Sequence, residues 1–214
     1  MARAAMGARF LSPEVNMSGG RDAFVGGMAS VMSALEVEGF ELADAYEEGM
    51  AAWKGFREKL LEAGRLAIGG SRRAIVVVGK PYNVLDPFLN LHLMKHLMRL
   101  GETAIPMWCL PIEEADLKGK AGNLPWRMNR NILGAVSWCG RDERLFPVIV
   151  SNFGCGPDAF MHMHLEQILG GRHALALEFD EHRAEAGLVT RLEAFLDEID
   201  AAGREPRDAP AAVE

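Results

Sequence analysis

Residues 74–79 read AIVVVG, and the chain runs on directly into Lys80, Pro81, Tyr82 and Asn83. A short, wholly apolar, β-branched run of this kind suits a strand buried on both faces, which is the habit of strands in parallel sheets covered by helices. Working outward towards the C-terminus, the pattern alternates. Residues 88–100 fit a helix whose apolar side is Leu89, Leu93, Met94, Leu97 and Leu100, with Gly101 just past its end. A second strand is expected over 103–108 and a crossover helix over 126–138. Phe146 and Pro147 lead into a third strand over 148–151, with the proline at its entrance, where a missing N–H is tolerated. A helix over 158–169, a strand over 174–179 and a final helix over 184–202 complete the series. Strand–helix pairs in succession imply parallel strands joined by right-handed crossovers. The fold class expected is therefore α/β, a doubly wound, mostly parallel sheet flanked by helices.

Working back from residue 74, Gly69, Gly70 and Ser71 break the chain. Before them, residues 21–64 read as helical, with Phe40, Leu42, Ala45, Tyr46, Gly49, Trp53, Phe56, Leu60 and Leu61 at mostly three- and four-residue steps. Glu36, Glu38, Glu41, Asp44, Glu47 and Glu48 take other positions, as a solvated face does. The first twenty residues are rich in Gly, Ser, Ala and Met and weakly patterned, which suggests a loosely held arm. The division expected is an N-terminal arm and helical extension over 1–70, then a Rossmann-like α/β domain over 71–214.

Composition narrows the function classes. Of the 214 residues 49% are hydrophobic and 25% charged, an ordinary globular balance with enough apolar material for a core. A net charge of −7 offers no basic stripe for nucleic acid. No apolar run is long enough to span a membrane, and the basic start MARAAMGARF is not followed by the apolar segment of a secretory signal. Three cysteines, Cys109, Cys139 and Cys155, are an odd number without the spacing of a disulfide framework. They point to a reduced compartment, cytoplasmic by default, with metal or catalytic use open.

In doubly wound sheets ligands sit beyond the carboxyl ends of the strands, at the point where strand order reverses. That rule selects three loops. In the first, GKPYNVLD (79–86), the G-x-x-x-x-G-K-[ST] phosphate loop and GxGxxG are both absent, which disfavours ATP. Lys80, Tyr82, Asn83 and Asp86 still place a cation, a phenol, an amide and a carboxylate at a strand end, although Pro81 as a turn former and Asn83 or Asp86 as helix caps explain them as well. In the second, SNFGCGPDAF (151–160), Cys155 lies between Gly154 and Gly156, and Pro157 and Asp158 open a helix; Asn152 and Asp158 flank the cysteine. Glycines permit a ligand to approach the backbone, and a helix N-terminus favours a thiolate, able to ligate iron or act as a nucleophile. A small cysteine in a tight turn is the plainer alternative.

Cys109, at the end of the second strand, should share the sheet edge of Cys155, whereas Cys139, at the end of the crossover helix, is harder to bring near. Three thiolates fall short of the four an iron–sulfur cluster usually takes, leaving an open iron position or completion by a second subunit. Zinc is a poorer fit. His162 and His164, two apart on a helix, face different ways, and His92 and His96 have no HExxH glutamate between them. In the third loop Glu178, Asp180, Glu181 and His182 end the strand ALALEF. Glu178 inside an apolar run should be buried and satisfied, by Arg191 or a backbone donor. His182 with Asp180 could exchange protons, or the group is helix capping and surface charge.

The strings GKPYNVLDPFLN (79–90), SNFGCGPDAF (151–160) and LEFDEHRAEAGLVTRLEAFLD (177–197) resemble segments of the acyl-CoA dehydratase activase-related proteins, which occur as C-terminal parts of large CoA-substrate-specific enzyme activases. They are distantly similar to cluster-binding subunits of 2-hydroxyacyl-CoA dehydratases. The resemblance is good over about 73–197 and weak over the N-terminal helices. It implies anaerobic metabolism, in which an ATP-hydrolysing activator passes a low-potential electron to a dehydratase whose [4Fe–4S] cluster is held by three cysteines. Cys155 carries over to the family's segment; Cys109 and Cys139 do not fall on positions recognised as shared. The function implied is a non-ATPase accessory or iron–sulfur electron-transfer module, with an activator ATPase or a dehydratase subunit as partner. Oligomerisation is left open. A cluster-free domain that binds a CoA thioester or docks a protein is the second reading, and a thiol-dependent enzyme using Cys155 is the third.

Overall fold

A computed structural model of the chain describes residues 10–115, 117, 119, 124–182 and 184–202; most of the basic start lies outside them. Two compact units divide the chain, Met1–Lys59 and Leu60–Glu214. In the first unit α1 (Gly20–Gly27) and α2 (Ala29–Leu35) lead into the long α3 (Gly39–Gly69), whose last turns, from Leu60, belong to the second unit. Phe24 of α1 stacks at a tilt on Tyr46 of α3, 5.1 Å between ring centres.

The second unit is built on β1 (Ala74–Gly79), β2 (Thr103–Pro106), β3 (Leu145–Asn152) and β4 (Leu175–Phe179), in the spatial order β2-β1-β3-β4 with every pairing parallel. The helices are α4 (Pro81–Leu85), α5 (Leu93–Arg99), α6 (Arg127–Cys139), α7 (Gly156–Leu169) and α8 (Glu185–Ala202). All six residues of β1 are buried, as a doubly covered strand requires. Its alternate side chains feed two cores. Ala74, Val76 and Val78 pack towards α6, α7 and the end of α3, while Ile75 and Val77 pack towards α4, α5 and α8. The fold is thus the doubly wound, parallel α/β class expected. Among the described residues no helix is long and apolar enough to cross a membrane.

Local chemistry moves several boundaries. The helix expected from residue 88 starts only at Leu93, because the buried Asn90 amide donates to the carbonyls of Asn83 and Val84 and its oxygen accepts from Leu93 N–H. Leu91 and His92 between them take left-handed φ of 52° and 56°, a costly conformation for side chains of this size. Pro147 is the third residue of β3 rather than its entrance. It pairs with Val76 of β1, and β4 begins only opposite Val148, so the outer side of the strand has no partner at that point and no N–H is missed. The expected second strand stops at Pro106, and a 3₁₀ turn takes Met107–Cys109. There Cys109 lies directly against Gly64 of α3, where any side chain would meet the Cys109 carbonyl.

At the amino end of β1, Arg73 is buried and forks onto Glu102 through Nε and Nη2, while Nη1 donates to Asp200 at 2.6 Å. This ties the start of the central strand to the α5–β2 turn and to the end of α8. Its neighbour Arg72 reaches Asp200 at 3.2 Å from an exposed position. Removing one partner of a buried pair costs about 3–5 kcal/mol, and an exposed pair contributes about 0–1 kcal/mol. Arg73→Ala should therefore lower unfolding stability by about 3–5 kcal/mol in urea melts and Arg72→Ala by less than about 1 kcal/mol; equal losses would contradict this account.

Candidate functional site

Chain order reverses between β1 and β3, so the crevice beyond their carboxyl ends is the switch point. β1 ends in Gly79, whose missing side chain lets the Val150 carbonyl of β3 approach closely. Lys80 follows as the residue before α4, which opens on Pro81. On the other lip, β3 ends in Asn152, Gly154 turns with a left-handed φ of 73°, and Cys155 is the N-cap of α7, with Pro157 in the first turn.

These two lips meet in one contact set. Lys80 Nζ donates to Cys155 Sγ at 2.9 Å and to Asp158 Oδ1 at 3.0 Å. Asp158, buried, also accepts from the Asn129 amide at 2.9 Å, and that amide donates to the Pro157 carbonyl as well. The Lys80 side chain is only 14% exposed. Burial opposes its charge, but hydrogen bonds to Cys155 and Asp158 and the Asp158 carboxylate outweigh it and hold the ammonium above the ordinary lysine range. A lysine raised in the folded state stabilises fully below the unfolded value of about 10.4 and loses that contribution only as pH rises through the higher folded value. The Lys80 ammonium is therefore charged throughout the neutral range.

Of the other expected residues, Asn83 is buried and its side-chain nitrogen has no partner, and Asn152 has a buried side-chain oxygen in the same condition. Tyr82 is exposed. Asp86 caps the turn after α4, accepting from Phe88 and Leu89 N–H, and not the next helix, which starts at Leu93.

Asp180 and His182 lie apart from this set on an exposed loop. Asp180 Oδ1 accepts from His182 N–H, and with Glu181 they form the one trio among the described residues whose potential metal-binding atoms lie within 4.8 Å of one another. Glu178 corrects an expectation: it is exposed, because β4 is the edge strand and Leu175, Leu177 and Phe179 take the face covered by α8. Arg191 donates to the Ala176 carbonyl at 2.6 Å instead. Glu178, Asp180, His182 and Arg191 line a separate cleft of about 220 Å³.

The cysteines do not converge. Cys155 is half-buried at the switch point. Cys109 is buried beside α3, after the end of β2. Cys139 closes α6 just before β3 begins, at the opposite end of the sheet, and burial pushes its thiol up to about 12. One [4Fe–4S] cluster on these three residues does not fit this fold.

Sequence reading missed Asn129 and Ser151. Asn129 stands three and four residues before Ile132 and Leu133 on the buried face of α6, and a polar residue in an apolar stripe was the available signal. Ser151 is buried at the end of β3 with no partner for its hydroxyl.

The family model described as CoA enzyme activase uncharacterised domain matches residues 1–110. The chain belongs to that family. No curated protein and no solved structure matches it. The match supports the activase-related resemblance and does not extend to dehydratase subunits. It takes in the N-terminal helices, where the resemblance was expected to be weak, together with β1, Lys80 and β2, and it ends before α6 and Cys155.

This activase-related chain should present one reactive thiol. With Ellman's reagent at neutral pH, Cys155 should react first and Cys109 and Cys139 only on unfolding. Fast labelling that survives Cys155→Ser would contradict the placement.

Proposed function

We propose that the protein is a non-ATPase accessory module of a CoA-enzyme activation system, which docks on its partner through the carboxyl edge of the sheet. Family membership supplies the system. The observation that supports docking at this edge is a set of exposed aromatic side chains on the segments that leave β1 and β3 and at the starts of α6 and α7. Tyr82 and Phe88 follow β1, Phe153 follows β3 and is 74% exposed, and Phe160 of α7 stacks on Trp126 at 5.8 Å. Single exposed apolar residues are ordinary, but aromatics gathered at one edge form the kind of patch that marks an interaction surface. Such side chains bring large contact area at small conformational cost and dominate binding energy at interfaces.

The partner that fits the family is an activator ATPase or the CoA enzyme itself, and acyl-CoA is the small molecule the same edge would meet. Electron transfer through a cluster held by this chain alone finds no support in the scattered cysteines. The thiol-enzyme reading retains Cys155, whose Sγ accepts from the Lys80 ammonium.

Calorimetric titration of the full chain against the activator ATPase of its own system tests the proposal. Phe153→Ser and Phe160→Ser should each weaken binding by about tenfold or more, as truncated anchors do, with the circular dichroism spectrum unchanged. Unaltered affinity in both variants would remove the docking edge.

A further inference from the structure

The switch-point crevice holds more donors than its contacts use. Ser151 is 1% exposed and its hydroxyl has no partner among the described residues. Its direction follows from the strand: Ile149, two residues earlier, packs in the core under α6 and α7, so Ser151 faces the same side, beneath the first turn of α7. Lys80 lies beside it, because Gly79 of β1 pairs with Val150 of β3 and the next residues on each strand are Lys80 and Ser151. Lys80 has three N–H donors and spends two, on Cys155 and Asp158. In α4 the Asn83 nitrogen, on a residue 2% exposed, is also without a partner among the described residues.

Above Ser151, α7 begins with no side-chain cap, and the N–H groups of Gly156 and Asp158 head the helix, since Pro157 between them has none. Gly154 and Gly156, on either side of Cys155, have open space where a side chain would stand. Asp158 does not repel an incoming anion strongly, because Lys80 and Asn129 already engage it. A buried hydroxyl, an ammonium and helix-terminal N–H groups where two strand ends meet are the chemistry that seats an oxyanion.

We propose that the crevice between β1 and β3 binds an oxyanion, a phosphate or carboxylate group, between Ser151, Lys80 and the N-terminus of α7. This site does not depend on a docked protein. The group it takes is the anionic end of a small molecule.

Backbone amide NMR of the full chain tests it, with separate titrations of inorganic phosphate, methyl phosphate and acetate. Saturable shifts confined to residues 80–83 and 151–158 are expected for at least one of the three, and the tightest binder tells a phosphate site from a carboxylate site. Ser151→Ala and Lys80→Met should each weaken that binding at least tenfold. Ser151→Ala removes only a hydroxyl, so it remains informative if Lys80→Met unfolds. The proposal is overturned by absence of saturation with all three probes, by shifts centred on Arg72, Arg144 and Arg172 at the other end of the sheet, or by undiminished binding in folded Ser151→Ala, the result expected if the free hydroxyl holds only water.

Discussion

A lysine ammonium carried to the end of a wholly buried strand must find a counter-charge, and in this protein Asp158 provides it. Burying an ammonium unpaired costs several kcal/mol, so the partner is an architectural requirement. Meeting it fixes the loop after β1 against the first turn of α7, brings Cys155 Sγ to 2.9 Å from Lys80, and draws α6 in through Asn129. The switch point is thereby stapled from both sides, by elements that enter the fold in three separate βα units. Everything with chemical potential at the carboxyl edge is arranged around that staple.

Much of this frame was legible from residue patterns. AIVVVG could only be a doubly covered strand, and Pro157 with Asp158 marked the start of a helix directly behind Cys155. The order β2-β1-β3-β4 places the reversal between β1 and β3, which the series of strand–helix pairs does not fix by itself. What failed to show was side-chain business across distance. Lys80 and Cys155 are separated by 75 positions, and no local pattern pairs them. Asn90 delays α5 by bonding to carbonyls behind it, a tertiary act that helical periodicity cannot announce. Glu178 was misplaced for a related reason: an apolar run reads as buried, but an edge strand needs only one covered face, and the glutamate takes the other.

The family match and the geometry bear on different halves of the molecule. Residues 1–110 carry the match, which includes Lys80, whereas Cys155, Asp158 and Asn129 lie beyond it. Lys80 is thus the residue that joins the matched part to the rest of the site. The cysteines, the feature that first suggested iron–sulfur chemistry, turn out to occupy three unlike environments. Cys139 is a packed core thiol, Cys109 fills the contact with α3, and Cys155 alone reaches the open edge. The weight of the functional reading accordingly moves from a cluster to the edge itself, with its ammonium, its unused donors and its aromatic rim.

The central claim is that Lys80 and Asp158 act as one unit at the switch point, and a double-mutant cycle on stability measures that directly. Lys80→Met, Asp158→Asn and the double variant should be compared by urea denaturation at neutral pH. The account predicts strong non-additivity, with a coupling energy of about 1–3 kcal/mol and the double variant less damaged than the sum of the single changes. Losses that add to within about 0.5 kcal/mol would show two independent surface charges, and would contradict the staple on which the site is built.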